Sequence, residues 1–122
     1  LPEDPNKSAY KFKKRFESLT NLPIAVIISD TFGRAWRKGQ VNFAIGSSGI
    51  RPINSYIGKL DSFGNELNAT EIAVIDELAS AAELVMKKTI DIPIAIIRGF
   101  DYEDSKLNAN ELIRDDKEDF FL

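Results

Sequence analysis

A chain of 122 residues that is 43% hydrophobic and 29% charged has the make-up of one globular domain with its own core. A formal net charge of −3 speaks against a nucleic-acid partner, and no apolar run approaches the ~20 residues that span a bilayer, so no membrane role is expected. With neither cysteine nor histidine, the chain cannot build disulfides, thiolate or ordinary zinc sites, or Ser-His-Asp and Cys-His catalysis. Any metal must be held by Asp, Glu, Thr, Ser, Asn or backbone oxygen, which points to magnesium, manganese or calcium. The lack of cysteine fits an intracellular, cytoplasmic setting, and the charged start carries no apolar stretch of a secretory signal.

The opening Leu1-Pro2-Glu3-Asp4-Pro5 reads like the middle of a loop, so residues 1–122 are expected to be the carboxyl-terminal portion of a longer polypeptide. A first helix is predicted over residues 4–19. Asp4 caps it, Pro5 suits its first position, and Ala9, Phe12, Phe16 and Leu19 share a face. Lys11, Lys13, Lys14 and Arg15 fall mostly on the other side as a solvated surface, and Asn21 ends the helix. Residues 23–28 form an apolar run bounded by turn signals, the signature of a buried strand.

That run leads into Asp30-Thr31-Phe32-Gly33-Arg34-Ala35-Trp36-Arg37-Lys38-Gly39-Gln40, which carries most of the chemistry. Ligands of open α/β sheets gather at the carboxyl ends of strands. Asp30 and Thr31 there offer hard oxygens to a divalent cation, and Arg34 and Arg37 offer planar donors to phosphate or carboxylate. A negative group between metal and guanidinium is what phosphoryl transfer requires. The plainer alternative is a strand end capped by Asp30, with the arginines in surface ion pairs. Phe32 and Trp36 suit stacking on a base, though aromatics beside a strand more often serve the core.

Val41, Phe43 and Ile45 alternate with Asn42 and Ala44 as in a half-buried strand, which Gly46-Ser47-Ser48-Gly49 is expected to break. That glycine-serine segment also has the make-up of an anion nest, with a simple turn the commoner outcome. A short strand is predicted at Tyr56-Ile57-Gly58 and a turn over residues 61–66. The strongest helix signal covers residues 69–88. Asn68 and Glu71 suggest a capping box, and Ile72, Ile75, Ala79, Ala82 and Met86 form one stripe, widened by Leu78, Ala81 and Val85. Such a helix suits burial within one subunit or at a dimer interface. A second buried strand is predicted over residues 92–98, where Pro93-Ile94-Ala95-Ile96-Ile97 nearly repeats Pro23-Ile24-Ala25-Val26-Ile27-Ile28. If the two runs lie side by side, Arg98 faces the site of Asp30. A helical turn is expected over residues 110–114, and Phe120-Phe121-Leu122 are expected to dock on something. No Walker A loop and no Gly-x-Gly-x-x-Gly are present. The whole reads as an α+β (mixed α/β) fold of helix–strand units around a mixed sheet.

These residues also carry a resemblance. Leu1-Pro2-Glu3-Asp4-Pro5 with Ser8-Ala9 resembles a segment of the coenzyme F-420:L-glutamate ligases. So does Ile28-Ser29-Asp30-Thr31-Phe32-Gly33-Arg34-x-Trp36-Arg37-x-Gly39-Gln40. Ala44-Ile45-Gly46, Gly49-Ile50, Asp61-x-Phe63-Gly64, Thr70-Glu71-Ile72-Ala73, Ala82-Glu83-Leu84-Val85-Met86 and Ile97-Arg98-Gly99 continue it. The resemblance implies a GTP-dependent amide ligase that adds L-glutamate to the lactyl phosphate arm of a deazaflavin coenzyme precursor through an acyl phosphate. It implies Mn2+ or Mg2+, with a monovalent cation such as K+, in an intertwined homodimer. Asp30 would be a ligand of one divalent cation and Thr31 of a second. GTP would touch Met86, Lys87, Lys88, Thr89, Ile90, Asp91, Ile92 and Pro93. Arg34 and Arg37 are this reading's own choice for phosphate or substrate carboxylate.

Two departures stand out. Where the family carries Glu or Gln for the second metal, this chain has Lys88, a cation in place of a ligand. Family enzymes are also about twice as long, and their amino-terminal half supplies nucleotide contacts and another metal-binding aspartate. The rival readings are a related ligase with a different acceptor acid, or a non-catalytic assembly domain.

Overall fold

The structure, a computed structural model, describes residues 1–119. Helix α1 spans Pro5–Thr20, strands β1 and β2 span Val26–Arg34 and Arg37–Ser48, and β3 and β4 span Ile53–Ser55 and Glu71–Ala73. Helix α2 spans Val74–Met86, and 3-10 turns follow at Ala109–Leu112 and Asp116–Glu118. The fold is mixed α+β, as the sequence indicated. In place of the expected mixed sheet, the strands among the described residues form two antiparallel pairs, β1 with β2 and β3 with β4.

Helix α1 starts and stops where its caps dictate. The Asp4 carboxylate accepts the Lys7 backbone N–H at 3.0 Å, Pro5 opens the first turn, and Asn21 ends the helix in the left-handed region at φ 55°. Of its apolar face only Ala9 is fully buried, while Phe12 and Leu19 stay exposed. Asn6 staples this helix to the rest of the chain. Its Oδ1 accepts the backbone N–H of Ser47 at 3.0 Å and of Ala109 at 3.2 Å, and its Nδ2 donates to Asn110 Oδ1 at 3.0 Å.

The arginine-rich stretch is not a loop. Strand β1 begins at Val26, three residues later than expected, and runs past Asp30 to Arg34. It turns through Ala35 and Trp36, the latter at φ 66°, and pairs back as one long hairpin. Asp30 therefore lies in mid-strand opposite Phe43, with Thr31 opposite Asn42. Register slips between Ile28 and Ser29, where Ile45 is the extra residue on β2, a bulge that re-aims the side chains beyond it. Gly46-Ser47-Ser48 does not break the strand either. It continues β2 with Gly46 and Ser47 buried, because Gly46 lies against Pro5 so tightly that a Cβ would come within 2.4 Å of the Pro5 carbonyl carbon. The strand ends at Gly49, where φ reaches +81°.

Three further expectations change. The short strand is Ile53–Ser55, and Tyr56-Ile57-Gly58 turn instead. Helix α2 starts at Val74, because Glu71–Ala73 extends to pair with Ile53–Ser55; Ala73 caps it without a side-chain hydrogen bond. Residues 92–98 form no strand, and no backbone–backbone hydrogen bond joins residues 89–102 to another described residue. They therefore do not lie beside β1, and Arg98 is not brought to Asp30. The turn over residues 61–66 forms as expected. Asp61 accepts the backbone N–H groups of Phe63 and Asn65, each at 2.8 Å, which holds its carboxyl below the usual value. The helical turn near residue 110 forms at Ala109–Leu112, and the expected docking of Phe120, Phe121 and Leu122 lies outside the described residues.

The core sits where α2, the end of β2 and the Ala109 turn meet. Ile50, Val74, Ile75 and Ala109 are buried there, with Ala25, Ile27, Ala44, Leu78 and Leu112 packed around them. Two polar contacts fasten α2 to β2. Ser80 Oγ donates to the Asn42 carbonyl at 2.7 Å, and Asp76 accepts the Ala44 backbone N–H at 2.9 Å. Residues 76 and 80 are four apart and share a helix face. Partial burial pushes the Asp76 carboxyl above the usual Asp value, a rise that the Ala44 bond partly offsets.

Candidate functional site

Asp30 and Thr31 are adjacent in a strand, so their side chains leave opposite faces of the β1–β2 hairpin. One cation cannot be shared between them. Each face offers its own set of oxygens.

On the Thr31 face, α2 buries a polar network. Asn42, 4% exposed, accepts the Thr31 hydroxyl at Oδ1, 2.9 Å away, and its Nδ2 donates to Ser29 Oγ at 3.5 Å. The Lys88 ammonium reaches this network from just beyond α2. It donates to Thr31 Oγ1 and, at 3.3 Å, to Asn42 Oδ1. Lys87 makes this approach possible: its left-handed φ of 55° ends the helix and turns the chain back toward the hairpin.

On the other face, Asp30 is half-buried, near the stacked rings of Phe32 and Phe43, whose centroids are 5.8 Å apart. Its carboxylate makes no hydrogen bond to another described residue. It is thus an uncommitted hard donor, which is what a divalent cation needs. Among the described residues no group of three or more acidic side chains converges into a metal cage. A single carboxylate fits magnesium-like binding, where one or two protein carboxylates act together with substrate phosphates and water. Thr31 fits poorly. Its hydroxyl already serves Asn42 and the Lys88 ammonium, and a divalent ion bound to the same oxygen would sit against that positive charge.

Arg34 and Arg37 face each other across the hairpin turn, four residues or roughly 13 Å along the strand from Asp30. Arg34 Nη2 donates to the Lys38 carbonyl at 3.2 Å, and its Nε is buried with no hydrogen-bond partner among the described residues. Arg37 is exposed, as is Trp36 at the tip. The structure therefore does not gather the arginines around Asp30 within this chain. Lys87, Lys88, Asp91, Ile92 and Pro93 do come together. They line a shallow cleft of about 350 Å3, with Met86 closing α2 before it and Thr89 and Ile90 exposed between. A second left-handed residue, Asp91 at φ 52°, shapes its wall. Strained backbone of this kind tends to collect at ligand sites.

Sequence reasoning missed Asn42 and Ser29. Asn42 read as the outward residue of a half-buried strand, whereas α2 covers it and Val41 and Phe43 are only half-buried. The one available signal was its place on a strand that returns past Thr31.

Comparison with known proteins gives these residues a family. The profile of the F420-0:Gamma-glutamyl ligase family matches residues 1–99, and the chain belongs to that family. The coenzyme F420:L-glutamate ligase of Methanocaldococcus jannaschii is 46% identical over 122 residues, covering 99% of this chain and 49% of that protein. The ligase of the same name from Methanosarcina mazei is 47% identical over 102 residues, 83% of this chain and 40% of its own length. Its counterpart in Methanosarcina acetivorans is 48% identical over 102 residues. The chain spans about half the length of the curated relatives it matches.

Proposed function

We propose that this chain is the carboxyl-terminal portion of a coenzyme F420:L-glutamate ligase that uses GTP to join L-glutamate to the deazaflavin precursor F420-0. The observation that carries the reading is the 46% identity over 99% of the chain to a relative of that name. The uncommitted Asp30 carboxylate and the cleft at residues 87–93 support it. In the proposed reaction the acceptor carboxylate takes the γ-phosphoryl group of GTP, and GDP leaves. The glutamate amine then attacks the acyl carbon, loses a proton, and inorganic phosphate departs as the amide forms.

This chain's residues divide that work by face. The Asp30 carboxylate holds one divalent cation, Mn2+ or Mg2+, which when bound neutralises charge building on the transferred phosphoryl group. Arg34 and Arg37 bind phosphate or substrate carboxylate at the hairpin tip, where the buried, unpartnered Arg34 Nε gives the fork a donor still to be satisfied. Residues Met86 to Pro93 hold the nucleotide on the Thr31 side of the hairpin, so the Asp30 cation meets a nucleotide where assembly of the homodimer brings the two faces together. Thr31 and Asn42 mark a second cationic position on the opposite face. The remaining nucleotide and metal contacts come from the rest of the natural protein, which works as a cytoplasmic homodimer.

The test is to incubate the full natural protein with F420-0, glutamate, GTP and Mn2+ and to read product mass by chromatography. A GTP-dependent gain of glutamyl units is expected. Folded protein that binds GTP yet adds no glutamate would move the assignment to another acceptor acid. Asp30→Ala is expected to weaken Mn2+-dependent GTP binding by about 100-fold or more, with circular dichroism unchanged. Unaltered binding would remove Asp30 from the metal.

A further inference from the structure

The Thr31 face turns two side-chain oxygens toward the helix end, Thr31 Oγ1 and Asn42 Oδ1, 2.9 Å apart, while Ser29 Oγ accepts from the Asn42 amide nitrogen on its other side. Such a set attracts a cation. Its geometry is fixed rather than adaptable, because Asn42 is buried and clamped. Its carbonyl accepts Ser80 from α2 and its Nδ2 donates to Ser29, so Oδ1 is obliged to face Thr31 and the helix end. The only positive group the described structure places on these oxygens is the ammonium of Lys88. It reaches them because Lys87 leaves the helix in the left-handed region, a backbone cost that places residue 88 over the hairpin.

We infer that Lys88 supplies, as a tethered ammonium seated on Thr31 and Asn42, the positive charge that a second divalent cation would otherwise bring to this face. The protein then loads one divalent cation with its nucleotide, at Asp30. This rests on the GTP-dependent reading above and adds to it a difference in metal stoichiometry. An ammonium and a divalent ion compete for the same oxygens, and the ammonium, being covalently held, needs no free metal to be present. Lys88 also lines the cleft proposed for GTP, so its charge is placed to serve a phosphate as well as the Thr31 hydroxyl.

The experiment counts bound metal directly. In the full natural protein, Mn2+ binding is measured by electron paramagnetic resonance in the presence of GDP, for wild type, Lys88→Arg, Lys88→Gln and Lys88→Glu. Wild type and Lys88→Arg should bind one Mn2+ per protomer with the nucleotide. Lys88→Gln and Lys88→Glu should gain a second, because each replaces the ammonium with an oxygen ligand. Two Mn2+ in wild type would overturn the inference and leave the ligase reading intact. No second Mn2+ in a folded Lys88→Glu variant would overturn it as well. A wild type that binds neither nucleotide nor Mn2+ would bring down the ligase reading, and this inference with it. Should the variants fail to fold, the wild-type count still decides.

Discussion

Residues 23–28 and 92–98 are two apolar runs of nearly the same composition, and the structure treats them oppositely. In the first, Val26, Ile27 and Ile28 pair with Ser48, Ser47 and Gly46, and Ala25 and Ile27 pack on the core. In the second, Ile94 is 60% exposed, Ile96 73%, and no ladder forms. Both runs are rich in β-branched residues, so local preference cannot separate them. What separates them is a neighbour. Residues 37–48 fold straight back onto the first run through a two-residue turn, while no strand among the described residues pairs with the second. Strand propensity is a statement about fitting a pleated, half-buried surface, and it has no effect without that surface. The cost shows in total exposure. The chain presents 9605 Å2, nearly half as much again as the roughly 6,600 Å2 of a compact monomer of 13.7 kDa.

The first run is held in place by the approach of α1, and that approach is the place to break it. An added Cβ at Gly46 would lie 2.4 Å from the Pro5 carbonyl carbon and 2.5 Å from its oxygen, backbone atoms that cannot swing aside. Gly46→Ala must push the first turn of α1 away from β2, and with it the Asn6 bonds to Ser47 and Ala109. A loss of about 3 kcal/mol or more is expected, read as a lower midpoint in urea denaturation. A loss below about 1 kcal/mol would show that α1 does not depend on this contact.

Ile27→Ala probes the same run by burial alone. The residue packs against the Ile50, Val74, Ile75 and Ala109 cluster while remaining partly accessible. Removing its outer carbons should cost about 2 kcal/mol, the lower end for an apolar truncation in a core. An effect within about 0.5 kcal/mol would place the core elsewhere.

The contrast also explains what the sequence made legible. Helix α1 was readable at both ends, because Asp4, Pro5 and Asn21 act on their own backbone within a few residues. The Asp61 turn was readable for the same reason. Asp30 and Thr31 were found by residue type, and the resemblance gave them roles. Their separation onto two faces depended on β1 running on to Arg34, which is decided by the partner strand. The start of α2 was misjudged because Glu71–Ala73 gains more by pairing with Ile53–Ser55 than by adding a helical turn at Asn68, a long-range choice that no capping pattern records. The Lys88 contact with Thr31 joins residues 57 apart in sequence through the φ of Lys87. Gly46 was read as a strand breaker and Asn6 was passed over, because the importance of each lies in what stands opposite it.

The smallest expected effect makes the most discriminating test. Ile96→Thr keeps the β-branch, so strand preference is nearly unchanged and only apolar burial is altered. In this chain, with Ile96 73% exposed, the cost should fall within about 0.5 kcal/mol, against the ~2 kcal/mol at Ile27. Measured in the full natural protein, the same substitution asks whether the run finds a neighbour there. A cost rising toward that of Ile27 would mean that a strand or helix from elsewhere in the assembly covers residues 92–98. Because that segment continues directly from the cleft at residues 87–93, whatever covers it would also fix one wall of the proposed nucleotide site. A cost that stays near zero would leave the second run exposed and the cleft framed by this chain alone.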